Sequence, residues 1–175
     1  MPTIPLENSI TINAPAEAIF PYVGDLMRHI EWCHQPQEMT ALTDGPVRVG
    51  SQYETLEAPP DNSPAIQKIM FTIAMPIMKM IYGFGDHTIA EITVLEPSTH
   101  IAWKAKLPAR NRDMMRMNWE IHLQAHDDVT KVTQKGELAP PDNSPFARLA
   151  NDDLAQQIQS EILTNLQKLK VLVEG

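Results

Sequence analysis

Three side chains in this sequence stand where a bound molecule could be hydrogen-bonded or have a proton moved: Tyr53, His87 and Gln134. Tyr53 carries a phenolic hydroxyl on a strand face that is otherwise apolar. His87 carries an imidazole, the group that titrates near neutral pH. Gln134 runs in phase with Val132 and Leu138, so it is an amide among apolar neighbours and must find a partner in protein, water or ligand. Arg110, Arg112 and Arg116 cluster in one connecting region. Solvated charge explains them most simply; recognition of a carboxylate or an anionic head group is the alternative.

Other chemistries lack their residues. The six histidines (His29, His34, His87, His100, His122 and His126) show no metal-ligand spacing with Cys33 or with carboxylates. His100 and His122 also fall on the outward phase of their strands. No metal and no cofactor are therefore expected. There is no Gly-rich phosphate loop, no Gly-x-Ser-x-Gly turn and no His-Glu-x-x-His pair. A net charge of −8 argues against a nucleic-acid partner. Cys33 is the single cysteine, which excludes an intrachain disulfide and fits a reducing cytoplasm. The opening "MPTIPLENSI" has no basic segment followed by an apolar one, so a cytoplasmic location is expected.

The 175 residues, 43% of them hydrophobic, suffice for one domain, residues 1–175, with a substantial core. Residues 8–14 alternate as a strand, and Pro15 then opens a helix that Pro21 should end or kink early. A second short helix is expected over 26–32. Strands follow near 38–45 and 50–57, then at 86–96, 100–107, 114–126 and 129–139, with short turn-rich connections between the last four. Alternation gives each a buried and an exposed face. Trp103 stands with Ile101, Ala105 and Leu107, while Met115, Met117, Trp119, Ile121 and Leu123 share one side of their strand. This is the pattern of an antiparallel sheet covered on one face. From about 146 to 173, Leu154, Ile158, Ile162, Leu166, Leu169 and Val173 recur at helical spacing, one continuous stripe.

The heptapeptide "APPDNSP" occurs at both 58–64 and 139–145, each time between a strand and a helix. Its paired prolines stop a sheet ladder, and its Ser-Pro supplies a helix N-cap and first turn. Between strands 3 and 4 lies an apolar helix over 65–83, interrupted by Pro76 and too short to span a bilayer. Alternate strands of a meander run the same way. The connections after residues 57, 107 and 139 therefore collect at one rim, the place where a scaffold usually carries its site.

"ITINAPAEAIFPYVGDLMRHIEW", "GPVRVGSQYE" and "ITVLEPSTHIAWK" resemble the START / Bet v 1-like (SRPBCC) superfamily, in its polyketide cyclase/dehydrase-like branch. The likeness covers nearly the whole chain. It implies an α+β helix-grip fold, an antiparallel seven-stranded curved sheet around a long C-terminal helix and an apolar cavity. The helical insertion between strands 3 and 4 departs from the family pattern.

On this reading the ligand-binding candidates are Tyr53, Met70, Ile73, Ile77, Trp103, Met115, Met117, Trp119 and Gln134, with the insertion helix as a lid. Ten methionines suit a surface that adapts to varied apolar ligands. The expected function is to bind or carry a hydrophobic small molecule or lipid. A cyclase or dehydratase using the same cavity is the alternative, with Tyr53, His87 or Gln134 moving protons. A third reading has the apolar insertion helix docking a second subunit or a membrane surface.

Overall fold

A computed structural model describes residues 3–34, 38–56, 80, 87–108, 113–139 and 152–175. Strand β1 (Ile4–Ile12) is followed by helix α1 (Ala16–Val23) and a 3₁₀ helix (Leu26–Glu31). Then come β2 (Glu38–Ala41), β3 (Gln52–Leu56), β4 (His87–Glu96), β5 (His100–Pro108), β6 (Asp113–His126), β7 (Val129–Ala139) and the C-terminal helix α2 (Asp152–Glu174). The strands form one antiparallel seven-stranded sheet in the order β1-β7-β6-β5-β4-β3-β2. The expected α+β helix-grip architecture is present. Both heptapeptides, apart from Ala139, and the insertion helix, apart from Met80, lie outside the described residues. So do the candidates Met70, Ile73 and Ile77, and Arg110 and Arg112.

One proline and one strand boundary differ from expectation. Pro21 does not end α1 early; the helix runs through it to Val23, and the Gly24 amide closes the last turn on the Phe20 carbonyl at 2.7 Å. Only the hydrogen bond that the Pro21 nitrogen would have donated is lost, one turn before the helix ends in any case. Strand β1 begins at Ile4 and includes Pro5, earlier than the alternation at 8–14 suggested. Because β1 pairs only with β7, it is an edge strand, where a missing amide donor is tolerated. Asp25 caps the 3₁₀ helix, its side chain accepting from the Met27 amide at 3.0 Å.

Helix α2 lies over β1 and the concave sheet face. Ile162, Leu166 and Leu169 of the predicted stripe are buried there with Leu6, Ile12, Ile101, Ile121 and Val132. Each such side chain contributes about 1.5–3 kcal/mol relative to exposure. Polar ties flank the stripe. Asn8 donates to the Gln159 carbonyl at 2.7 Å, and Lys170 donates to the Thr11 carbonyl at 2.7 Å. The Asn165 side chain accepts from the His34 amide at 3.0 Å. The sheet register aligns Leu56 with His87, Leu107 with Met115, and Arg116 with Ala139. The ends of β3, β5 and β7 therefore share one rim, as strand parity requires. No helix among the described residues is long and apolar enough to cross a membrane.

Candidate functional site

The concave face is built in cross-strand rows. One row runs Leu6–Gly136–Trp119–Trp103–Ile92, and the next toward the rim runs Ile4–Leu138–Met117–Ala105–Ala90–Tyr53. Gly136 is required where it is: a Cβ there would overlap the six-membered ring of Trp119, which lies across it. Trp119 and Trp103 stack at 6.4 Å between ring centroids with 23° between planes. Trp103 meets His29 of the 3₁₀ helix edge-on at 5.3 Å, and His29 meets Trp32 at 4.8 Å. An aromatic chain thus crosses from the middle of the sheet to the short helix. In the rim-side row, Ala105 and Ala90 separate Met117 from Tyr53, so the face is lowest between them.

Burial divides these residues. Ile101, Ile121 and Val132 are fully enclosed, whereas Trp103, Met115, Met117 and Trp119 are only partly buried, although they lie on central strands. A hollow of about 680 Å³ borders the middle of β1, β5, β6 and β7. Its border takes Leu6, Trp103, Trp119, Gly136 and Gln159 from the concave side, and the larger share from Thr93 of β4 and from outward-phase residues of β1, β5, β6 and β7 such as Lys104, Asn118, Glu120 and Glu137.

The polar groups on this face are few. Tyr53 is buried; burial, with Asp25 nearby, raises its hydroxyl above the usual phenol range, so it stays a neutral donor. Gln134 is buried beside Ile121 and Asn8, as its phase predicted, and its Oε1 accepts no hydrogen bond from the described residues. His29 is buried too. Its Nε2 lies 2.9 Å from the Val23 carbonyl, which assigns the proton to Nε2, and burial pushes its pKa down to about 4. Near neutral pH it is an uncharged ring with Nδ1 as acceptor. Sequence reasoning missed His29. Its position three residues after the apolar Leu26 on the same short helix was the available signal, but its contact with Trp103 is tertiary.

Two basic or titratable candidates fall elsewhere. His87 is exposed on the outward phase, its Nδ1 3.8 Å from the Glu54 carboxylate, because its inward neighbours in β4 are Thr88 and Ala90. It does not face the concave side. Arg116 also points outward and pairs with Asp113 at 3.1 Å. Burial raises the Cys33 thiol well above its usual range, making it a poor nucleophile.

A sequence model described as polyketide cyclase / dehydrase and lipid transport matches residues 3–174. The chain belongs to that family. Solved structures similar to this family member include the Zhui aromatase/cyclase from a Streptomyces species, at TM-score 0.66 and 11% identity, covering 99% of this chain and 94% of that one. Ara h 8.0201 is similar at TM-score 0.62 and 11% identity, covering 98% of each chain. A protein of Chromobacterium violaceum follows at TM-score 0.59 and 15% identity, again covering 98% of each. At these identities the likeness is one of fold. No curated protein matches the sequence.

Proposed function

We propose that this family member binds a hydrophobic small molecule or lipid between the rim half of the concave face and the elements above it, and carries it without transforming it. The supporting observation is the partial exposure of Trp103, Trp119, Met115 and Met117 in mid-sheet, where a packed core would enclose them. The indoles offer flat apolar area and the methionines adapt to varied shapes. One row deeper than the indoles, beside Ile121, Gln134 Oε1 has no donor among the described residues, so the best ligand is a largely apolar molecule whose one hydroxyl or N–H group reaches past them. The family description, which names lipid transport beside cyclase chemistry, agrees with this reading.

A cyclase is the second reading, and the structural likeness to an aromatase/cyclase motivates it. It would draw on Tyr53 and on neutral His29 as proton-handling groups and on the cavity to orient a flexible chain. The carboxylate whose charge reaches both, Asp25, is engaged in capping the 3₁₀ helix at the Met27 amide rather than free to share acid and base roles, which favours carriage.

Native mass spectrometry of protein purified from cells, with displacement of an apolar fluorescent dye by fatty acids, sterols and aromatic polyketides, tests the proposal. Saturable displacement with the ligand recovered unchanged supports carriage. Recovery of a cyclised or dehydrated product moves the function to the second reading, and absence of any uptake overturns both.

A further inference from the structure

On the opposite, convex face of the sheet, three ligating side chains meet that no linear spacing suggested: His100, Glu120 and His122. His100 is the first residue of β5 and stands in direct register with His122 of β6. Glu120 precedes His122 by two positions, so the sheet pleat puts both on the same face. One potential ligand atom from each residue lies within 4.8 Å of the other two. The Glu120 Oε2 is 3.3 Å from His122 Nε2 and 3.6 Å from His100 Nε2. In a tetrahedral site with bonds near 2.0–2.1 Å, neighbouring ligand atoms are about 3.3 Å apart. One edge therefore already has the length a bound cation needs, and a second is slightly longer.

A second observation points the same way. His100 Nε2 is shut off from solvent and has no hydrogen-bond partner among the described residues. A buried ring nitrogen without a partner is costly, and a cation would satisfy it. The third edge does not yet fit. The imidazoles stack at 4.0 Å with 13° between planes, and nearly parallel rings cannot both point at one ion. Closing that edge requires rotation about each Cβ–Cγ bond, and side-chain exposures of 19% and 34% leave room for it. The opposing influence is Lys135, whose ammonium lies 3.8 Å from Glu120 Oε1 and repels a cation. Glu96, in register with His100 across the β4–β5 hairpin, adds negative charge on the same side.

We propose that His100, Glu120 and His122 form a binding site for a late first-row divalent cation of the zinc or nickel kind, with water completing the coordination. Two imidazoles and a carboxylate select such ions over magnesium or calcium, which prefer all-oxygen sites. Held by central strands β5 and β6, the site shares Glu120 and Lys135 with the outward-facing border of the hollow, but it does not rest on the proposed function.

The test is isothermal titration of the full-length, tag-free protein with zinc chloride in chelator-treated buffer at pH 7.5. Wild type is expected to take up one Zn²⁺ per chain saturably. Each of H100N, E120Q and H122N should weaken binding by about tenfold or more, since even outer-shell changes cost that much. H126N, on the same strand but outside the cluster, should leave it unchanged, and K135Q should tighten it. Absence of saturable uptake, or uptake that survives H100N and H122N together, overturns the site. Should those variants fail to fold, wild type is titrated with Ni²⁺ and followed by NMR. Broadening centred on the His100 and His122 ring signals supports the site, and broadening centred on other histidines overturns it.

Discussion

The two ends of the concave face are made from the same strands and differ in what covers them. Toward the β4–β5 and β6–β7 turns, Ile101, Ile121, Leu123 and Val132 are enclosed, with Leu166 and Leu169 of α2 also fully buried. Toward the rim where β3, β5 and β7 end, Trp103, Met115, Met117 and Trp119 remain partly open. Ile121 and Met117 lie on one strand and one face, two pleat repeats apart with Trp119 between them. Chemistry alone does not separate the ends, since both are apolar. The difference is that one end is closed packing, while the other, although it also buries Tyr53, Ala90, Ala105 and Leu138, leaves its largest side chains partly open.

The sharpest way to break that division is to remove bulk from each end. Leu166→Ala and Ile121→Ala should each destabilise by about 2–5 kcal/mol in a denaturant titration, because both leave cavities in closed packing. Gly136→Ala forces Trp119 off its seat and should cost about 1–3 kcal/mol while changing dye affinity, a pairing that the closed end cannot produce. The pH response probes the junction between short helix and sheet. His29 binds a proton below pH 6.5 when unfolded but only below about 4 when folded. The unfolded state therefore holds more protons in that window, and stability falls as pH drops from 6.5 toward 4. Between pH 7.5 and 5 the loss should be about 2 kcal/mol in excess of that shown by His29→Gln. Met117→Ala, at the open end, should cost about 1 kcal/mol yet weaken dye binding several-fold. Gln167→Ala, exposed beside Leu166, should stay within about 0.5 kcal/mol of wild type. Equal costs for Ile121→Ala and Met117→Ala would erase the distinction.

Much of this was legible in the residues themselves. Period-two alternation assigned Trp103, Met115, Met117, Trp119 and Gln134 to the concave face, because an antiparallel sheet with one covered face leaves that signature directly. The helical stripe of α2 was equally plain at Ile162, Leu166 and Leu169. What escaped depends on contacts between elements. Pro5 reads as a strand breaker until β1 is known to be an edge. His29 reads as one more surface histidine until the 3₁₀ helix is packed on Trp103. His100, Glu120 and His122 read as unrelated until the β5–β6 register brings them face to face. His87 was within reach, since Thr88 and Ala90 already fixed its phase, and its chemical type drew more weight than its position.

The stacked indoles have an optical consequence. The protein has three tryptophans, of which Trp32 is enclosed while Trp103 and Trp119 are partly open. Two chromophores held 6.4 Å apart share their excited states, so their near-ultraviolet circular dichroism should carry a coupled signal that depends on their mutual angle. A molecule sliding against them would alter that angle and shield them from a soluble quencher such as acrylamide, leaving Trp32 unaffected. Were the proposed ligand to bind there, the chain would carry a built-in emission gauge for it, with its own internal reference and no attached label.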